Sequence, residues 1–322
     1  MAVTERAGRI PVRVQAIGWG LVSWVLFAGS GPLAKAMMVG GWSPVAVTSA
    51  RIVLAAVLLL PGVAWFRPQG LRFSRSDLWL PVAYGLLGVA GVQLLFFVAV
   101  AKIPVGVAIV LVNLAPAFVA VWMRTARGAR LRGSVWVGIT FAIAGLAIVA
   151  RPWQTSGLNL LGLTAALGSA ICSAAYFLLG EYGARRSDPF GLTATGLLIG
   201  AVAVTVIAPP WTFSSDLLTA PTALGDRHPP AWLVLLILAA LGTAVPYLTG
   251  LRALRDLSPI AASVLAVVEP LAATVLAWLL LGQSLHPTQI LGAVIMLIGA
   301  TAVQVGGVSG EAAQRSTGLG RG

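Results

Sequence analysis

Glu269 is the one acidic residue of this chain that stands deep inside a long apolar run, about 11 residues from its start. Pro270 follows it and, having no N–H, removes a helical hydrogen bond. A carboxylate at that depth can ligate a substrate ammonium or carry a proton. It can also serve structure, by accepting hydrogen bonds from backbone groups freed near Pro270 or by pairing with Arg51. Arg51 lies about seven residues into its own run, at a similar depth by helix rise. Arginine keeps its charge and cannot cycle a proton, which favours a structural role for it. The layout around Glu269 has a mirror in Leu111-Val112-Asn113-Leu114-Ala115-Pro116, where Pro116 again interrupts an apolar run and Asn113 stands close by. Gln93 and Asn113 could hydrogen-bond a carboxylate or an amide, and Trp24, Tyr176 and Tyr247 could stack on rings or cations. Helix–helix hydrogen bonding and anchoring at the membrane interface are the plainer readings of the same five residues.

The elements that must position these residues are membrane spans. Of 322 residues, 58% are apolar and 9% charged, against roughly 25% charged in soluble proteins. Ten apolar runs cover residues 14–38, 44–66, 78–101, 104–123, 133–150, 158–182, 189–208, 231–253, 258–281 and 287–305. Each is near the ~20 residues that cross a bilayer core of about 30 Å, and backbone in lipid must satisfy itself as helix. The first run contains small residues, Ala28-Gly29-Ser30, that would suit a signal-peptide cleavage site. It continues past them, however, and further spans follow.

The charges test this count. The net charge of +12 arises from arginines scattered between runs, with two lysines among 21 basic residues, so they read as topology signals rather than a nucleic-acid surface. Alternate connections together with both tails hold 16 basic residues. The opposite side holds Lys35, Lys102, Arg151 and Arg227, with Arg51 left inside a span. The positive-inside rule then places both termini in the cytoplasm. Lys35 reads as snorkelling to the outer interface, and Glu181 as the i,i+4 partner of Arg185 at the cytoplasmic end of the sixth span. The longest loop, 209–230, is proline-rich, and the tail from 306 is Gly/Ser-rich and reads as disordered. Cys172, the single cysteine, rules out an intrachain disulfide.

The halves repeat. A shift of 154 residues lays Pro116 on Pro270, Gly128 on Gly282, Gly138 on Gly292 and Gly145 on Gly299, while Pro44 and Thr48 match Pro189 and Thr193 at a different shift. Five spans per half force the second half to enter from the opposite side, giving an inverted-topology repeat. Two interrupted helices at matching positions in such halves point to a transporter's substrate site near the bilayer midplane.

Other chemistries lack their parts. No P-loop is present. His228 and His286 fall in outer loops, and Asp77, Asp188, Asp216, Asp226 and Asp256 in loops or at span ends. A buried Ser/His pair, a zinc set or two buried aspartates for an intramembrane protease cannot be assembled.

The ten-span layout resembles the EamA family of the drug/metabolite transporter superfamily. So do Ser49-Ala50-Arg51-Ile52-Val53-Leu54, Pro104-Val105-Gly106-Val107-Ala108, Glu269-Pro270-Leu271-Ala272-Ala273, and Leu281-Gly282-Gln283-Ser284-Leu285 before a last span with Gly292 and Gly299. The resemblance covers residues 16–305; one departure is Gln283, where the family usually has glutamate. It implies that spans one, three, four, six, eight and nine line a central cavity, which would gather Trp24, Gln93, Asn113, Tyr176, Tyr247 and Glu269 as substrate-binding residues. It also implies outward transport of small metabolites such as amino acids or amphipathic drug-like compounds.

The expectation is therefore an all-α integral membrane protein of ten transmembrane helices in two inverted five-helix repeats, 14–150 and 158–305. Cytoplasmic tails at 1–13 and 306–322 flank them. It would act in the cell membrane as a secondary exporter working by alternating access, with proton coupling through Glu269 as a hypothesis. No cofactor or metal is expected. The partners are a small-molecule substrate and the lipid bilayer, with no nucleic acid, and a homodimer is one state open to it. A lipid flippase, or a membrane-embedded enzyme or scaffold, is the competing reading.

Overall fold

The computed structural model describes residues 12–102, 108, 111–128, 133–150, 159–266 and 268–281, with scattered positions between 287 and 302. Residues 1–11, the carboxy-terminal tail, the Pro104 opening of the fourth expected span and the segment bearing Gly282 and Gln283 lie outside the described residues.

Helix starts follow the local chemistry. Ser43, Asp188 and Ser258 each accept a hydrogen bond from a backbone N–H three residues on, and each is followed by a proline at the first helical position, where its missing N–H costs nothing. Asn159 caps its helix through the N–H of Gly162. The helices are α1 (Val12–Val39), α2 (Pro44–Phe66), α3 (Trp79–Ala83), α4 (Val92–Lys102), α5 (Ala115–Thr125), α6 (Gly133–Ala150), α7 (Leu160–Arg186), α8 (Pro189–Ile207), α9 (Ala231–Ala239), α10 (Val245–Leu254), α11 (Pro259–Leu265) and α12 (Val268–Leu281). π-helical segments, Tyr84–Gly91 and Ala240–Ala244, join α3 to α4 and α9 to α10.

Among the described residues six helical stretches are long and apolar enough to cross a membrane: Val12–Val39, Pro44–Phe66, Arg75–Ala99, Leu160–Arg186, Pro189–Ile207 and Ala231–Leu254. Shorter apolar helices run over Gly133–Gly145, Pro259–Ala273 and Ile290–Gly299. The outer faces are apolar as well: Val202, Val206 and Ile207 on α8 are exposed, as are Leu160, Leu161 and Ile171 on α7. A helix apolar all round, with only part of its surface buried by protein, belongs in lipid. The chain is a multi-pass, all-helical membrane protein.

Both expected interruptions are present. The chain makes a turn at Asn113 and Leu114 before α5, and α11 gives way at Ala266 before α12. Each break falls at the residues four or fewer before a proline, Pro116 or Pro270, where the ring meets the carbonyl of the preceding turn and the N–H is missing. The backbone compensates with i→i−3 bonds, Leu114 N–H to Leu111 at 3.1 Å and Glu269 N–H to Ala266 at 2.9 Å.

Three packings organise the bundle: α1 against α10, α4 against α7, and α2 against α8. The Ser23 hydroxyl ties α1 to α10 by donating to the Pro246 carbonyl at 2.7 Å, and the Ser169 hydroxyl ties α7 to α4 by donating to the Val92 carbonyl at the same distance. Glycine permits close approach at the π segment. A Cβ on Gly85 would lie 2.7 Å from the Gly196 carbonyl oxygen, and one on Gly196 would lie 2.6 Å from the Tyr84 ring. The long loop is ordered against the bundle: it pairs Thr222 with Pro229, and Trp42, at the α1–α2 connection, donates its indole N–H to the Leu217 carbonyl at 3.0 Å. At the other end Glu181 pairs with Arg185 at 3.2 Å, as its spacing predicts, and also with Arg127 at 2.8 Å.

Candidate functional site

The interrupted segments, α1, α2, α4, α7 and α10 enclose a cavity of about 190 Å³. Trp24, Gln93, Asn113, Tyr176, Tyr247 and Glu269 all line it, together with Arg51 and Pro270. Pro116 is buried beyond the wall, at the second position of α5. The wall also includes Phe27, Phe96, Phe97 and Ser173, which reasoning from residue type passed over. Helical spacing held the signal: Phe27 is three residues after Trp24, Phe96 and Phe97 are three and four after Gln93, and Ser173 is three before Tyr176. Each shares a face with its neighbour.

One hydrogen-bonded chain crosses the site. Arg51 donates from Nε to Gln93 Oε1 at 2.6 Å and from Nη2 to the same oxygen. With its oxygen so occupied, the Gln93 amide turns its NH2 to the Tyr247 hydroxyl at 3.2 Å. That hydroxyl donates in turn to the Gly88 carbonyl at 2.9 Å, inside the π segment, whose altered ladder suits such an outside donor. The Arg51 guanidinium carbon also stands 5.7 Å from the centre of the Phe97 ring, within cation–π reach. Arg51 is 4% exposed. Helix α2 is thus an integral wall of the site.

Glu269 is placed differently. Its carboxylate makes no hydrogen bond or ion pair among the described residues, and the ion pairs there are Arg67–Asp188, Arg127–Glu181, Arg185–Glu181 and Arg252–Asp256. Arg51 and Glu269 therefore share a cavity without meeting, and Arg51 leans on a neutral amide instead.

The remaining wall is aromatic. The Tyr176 and Tyr247 rings meet edge to face with centroids 5.6 Å apart, Phe27 meets Tyr247 the same way at 5.2 Å, and Trp24 meets Tyr176 at 6.5 Å. The Tyr84 and Tyr176 hydroxyls are buried and interact with each other, without a well-formed hydrogen bond to any described residue. No group of three His, Cys, Asp or Glu side chains that could hold a metal gathers among them either.

The sequence model of the EamA-like transporter family matches residues 14–151 and 160–304. The chain belongs to the EamA-like transporter family. Among its relatives, the threonine/homoserine exporter RhtA of Escherichia coli (strain K12) is 31% identical over 281 residues, covering 85% of this chain and 87% of that protein. RhtA of Salmonella typhimurium (strain LT2) is 30% identical over 251 residues, covering 76% of each. The uncharacterized transporter YwfM of Bacillus subtilis (strain 168) is 23% identical over 274 residues, covering 85% of this chain and 88% of that one. A solved crystal structure matches with a TM-score of 0.70 at 16% identity, covering 91% of this chain and 97% of the other, a likeness of fold. The cavity of this EamA-like chain thus lies within the matched residues, and Glu269, Arg51 and Gln93 all fall inside them.

Proposed function

We propose that this chain is a secondary exporter of small polar amino acids in the cell membrane, working by alternating access. The observation that carries the reading is the cavity itself: a small space that holds one buried cation, one carboxylate and an aromatic wall. At about 190 Å³ it falls below the ~300–1,000 Å³ typical of sites for drug-sized ligands. That favours a small metabolite over an amphipathic drug-like compound or a lipid. The relatives named as threonine/homoserine exporters support the same substrate class and the outward direction.

Alternating access rests on a ten-helix, two-repeat architecture with both termini cytoplasmic, which several independent details support. Gln93 and Tyr247 are 154 residues apart, the spacing that lays Pro116 on Pro270, and they are hydrogen-bonded to each other. Equivalent positions of two halves touch only beside the axis that relates them. The acceptors of the two serine bonds, Val92 and Pro246, have the same spacing. The two helix breaks fall within two residues of that spacing, and the π segments overlap under it. The packings α1·α10 and α4·α7 exchange under the same operation.

Glu269 is the proton-coupling group in this reading, because its carboxylate lines the cavity without a hydrogen bond or ion pair among the described residues. The test uses proteoliposomes. Glu269→Gln should abolish proton-driven threonine uptake and keep counterflow at reduced affinity. Proton-driven uptake and counterflow that both match wild type would show that Glu269 neither binds nor couples. Turnover of a solute without its vectorial movement would sink the exporter reading as a whole.

A further inference from the structure

We propose that Arg51 is the carboxylate ligand of the transport site and that the cavity selects α-amino acids as zwitterions, the ammonium facing Glu269. This rests on the exporter reading above and deepens it. Arg51 is 4% exposed in a membrane-spanning helix, and a charge in that position faces an interior pathway and finds a partner. Here the partner is not an acid. The guanidinium spends Nε and Nη2 on one oxygen of the neutral Gln93 amide, and Nη1 makes no hydrogen bond among the described residues. The Nε–Nη2 edge is thus spent. The end-on edge formed by Nη1 and the second Nη2 N–H, which can also take a carboxylate through two parallel bonds, is uncommitted among the described residues, and Arg51 lines the cavity.

The same cavity holds the carboxylate of Glu269, which makes no hydrogen bond or ion pair among the described residues and feels Arg51 electrostatically. Gln93 is what keeps the two charges from collapsing onto each other. It is itself anchored through the Tyr247 hydroxyl to the Gly88 carbonyl, so it holds Arg51 against α4. Gln93 is a positioning residue; Arg51 and Glu269 are the groups a solute meets.

The pair of opposite charges decides which solute. An organic cation suits Glu269 and is repelled by Arg51. A phosphate or carboxylate monoanion suits Arg51 and is repelled by Glu269. A solute that satisfies both carries a carboxylate and an ammonium and no net charge. Aromatic walls, including Phe97 beside the guanidinium, raise the cost of any further uncompensated charge.

The test is binding, read as the ligand-induced thermal shift of the purified full chain. L-Threonine is compared with L-threoninol, in which CH2OH replaces the carboxylate. In wild type threonine should bind at least about thirtyfold more tightly than threoninol, the scale of an unpaired buried charge. Arg51→Gln should reduce that ratio to about one or below, by weakening threonine and, with the repelling guanidinium gone, by leaving the cationic threoninol bound at least as tightly as in wild type. Arg51→Lys, which keeps charge but loses the fork, should fall between. Threoninol binding as tightly as threonine in wild type overturns the assignment without any variant, so a misfolded variant cannot shelter it. Equal weakening of both ligands in Arg51→Gln also overturns it. A wild-type protein that neither binds nor transports threonine overturns instead the exporter reading on which the inference stands.

Discussion

Two tyrosines whose rings touch in the cavity wall should respond in opposite ways to loss of one oxygen. Tyr247 uses its hydroxyl twice, accepting from Gln93 at 3.2 Å and donating to the Gly88 carbonyl at 2.9 Å. Tyr176, 5.6 Å away between ring centres, buries a hydroxyl that makes no well-formed hydrogen bond among the described residues and meets only the Tyr84 hydroxyl. Side-chain hydrogen bonds within membrane helices average about 0.6 kcal/mol and reach about 1.7 kcal/mol. Tyr247→Phe, which severs two, should therefore destabilise by about 1–3 kcal/mol. At roughly 2–4 °C per kcal/mol, the lower end of that range lowers the unfolding midpoint by about 2–4 °C. Tyr176→Phe gives up a poorly formed contact with the Tyr84 hydroxyl and removes a buried polar atom whose desolvation costs about 1–3 kcal/mol, so its midpoint should hold or rise. Ring packing is the same in both variants, which leaves the hydroxyl as the sole difference. The assay is thermal unfolding of both proteins in detergent without substrate. Equal losses, or a larger loss for Tyr176→Phe, would refute the hydrogen-bond reasoning.

Gly85→Ala should destabilise by about 1–3 kcal/mol through overpacking, because its Cβ would lie 2.7 Å from the Gly196 carbonyl oxygen. Gly62→Ala, with nothing within 4 Å, should stabilise by about 0.5–1 kcal/mol; paired unfolding curves check both, and similar values for the two would contradict the close α8 packing. Pro116→Ala and Pro270→Ala restore the missing N–H at the two helix breaks. Each should keep or raise the unfolding midpoint while slowing counterflow, and the double variant should slow it most; wild-type counterflow in the double variant would remove the breaks from the transport cycle.

The membrane class and the boundaries of the six long spans were legible because lipid imposes a crude rule, length of apolar run, that composition reports directly. The broken helices were legible because proline's missing N–H acts locally. Trp24, Gln93, Asn113, Tyr176, Tyr247 and Glu269 could be singled out because a polar or aromatic group in an apolar run is conspicuous, and they line one cavity. What could not be read is pairing between helices. Arg51 and Glu269 stand at similar depth, yet depth says nothing about azimuth, and Arg51 bonds instead to Gln93, 42 residues along the chain. The π segments were not read from residue type either; in the first of them Gly85 and Gly88 let α8 and Tyr176 approach closely. Phe96 and Phe97 went unnoticed because apolar residues in apolar runs are silent until a partner such as Arg51 gives one of them a role.

In the two-repeat architecture proposed above, interactions sort by whether they occur once or twice. Exchanging the conformations of the halves converts the Ser23–Pro246 bond into the Ser169–Val92 bond and the reverse, so this pair favours neither access state. The Arg51 chain has no such twin. The shift that lays Pro44 and Thr48 on Pro189 and Thr193 lays Arg51 on Gly196, which has no side chain to donate. Gln93 and Tyr247, being each other's equivalents, are both already spent in the one chain. Whatever the Arg51 chain contributes therefore stabilises the present state alone. A solute can shift an equilibrium only through a difference in its affinity for the two states. A carboxylate that draws the guanidinium away from Gln93 weakens the single-copy contact that holds this state. On the proposal that Arg51 takes the solute carboxylate, the group that recognises the solute would also release the bundle, and the two serine bonds would let the exchange proceed without a bias of their own.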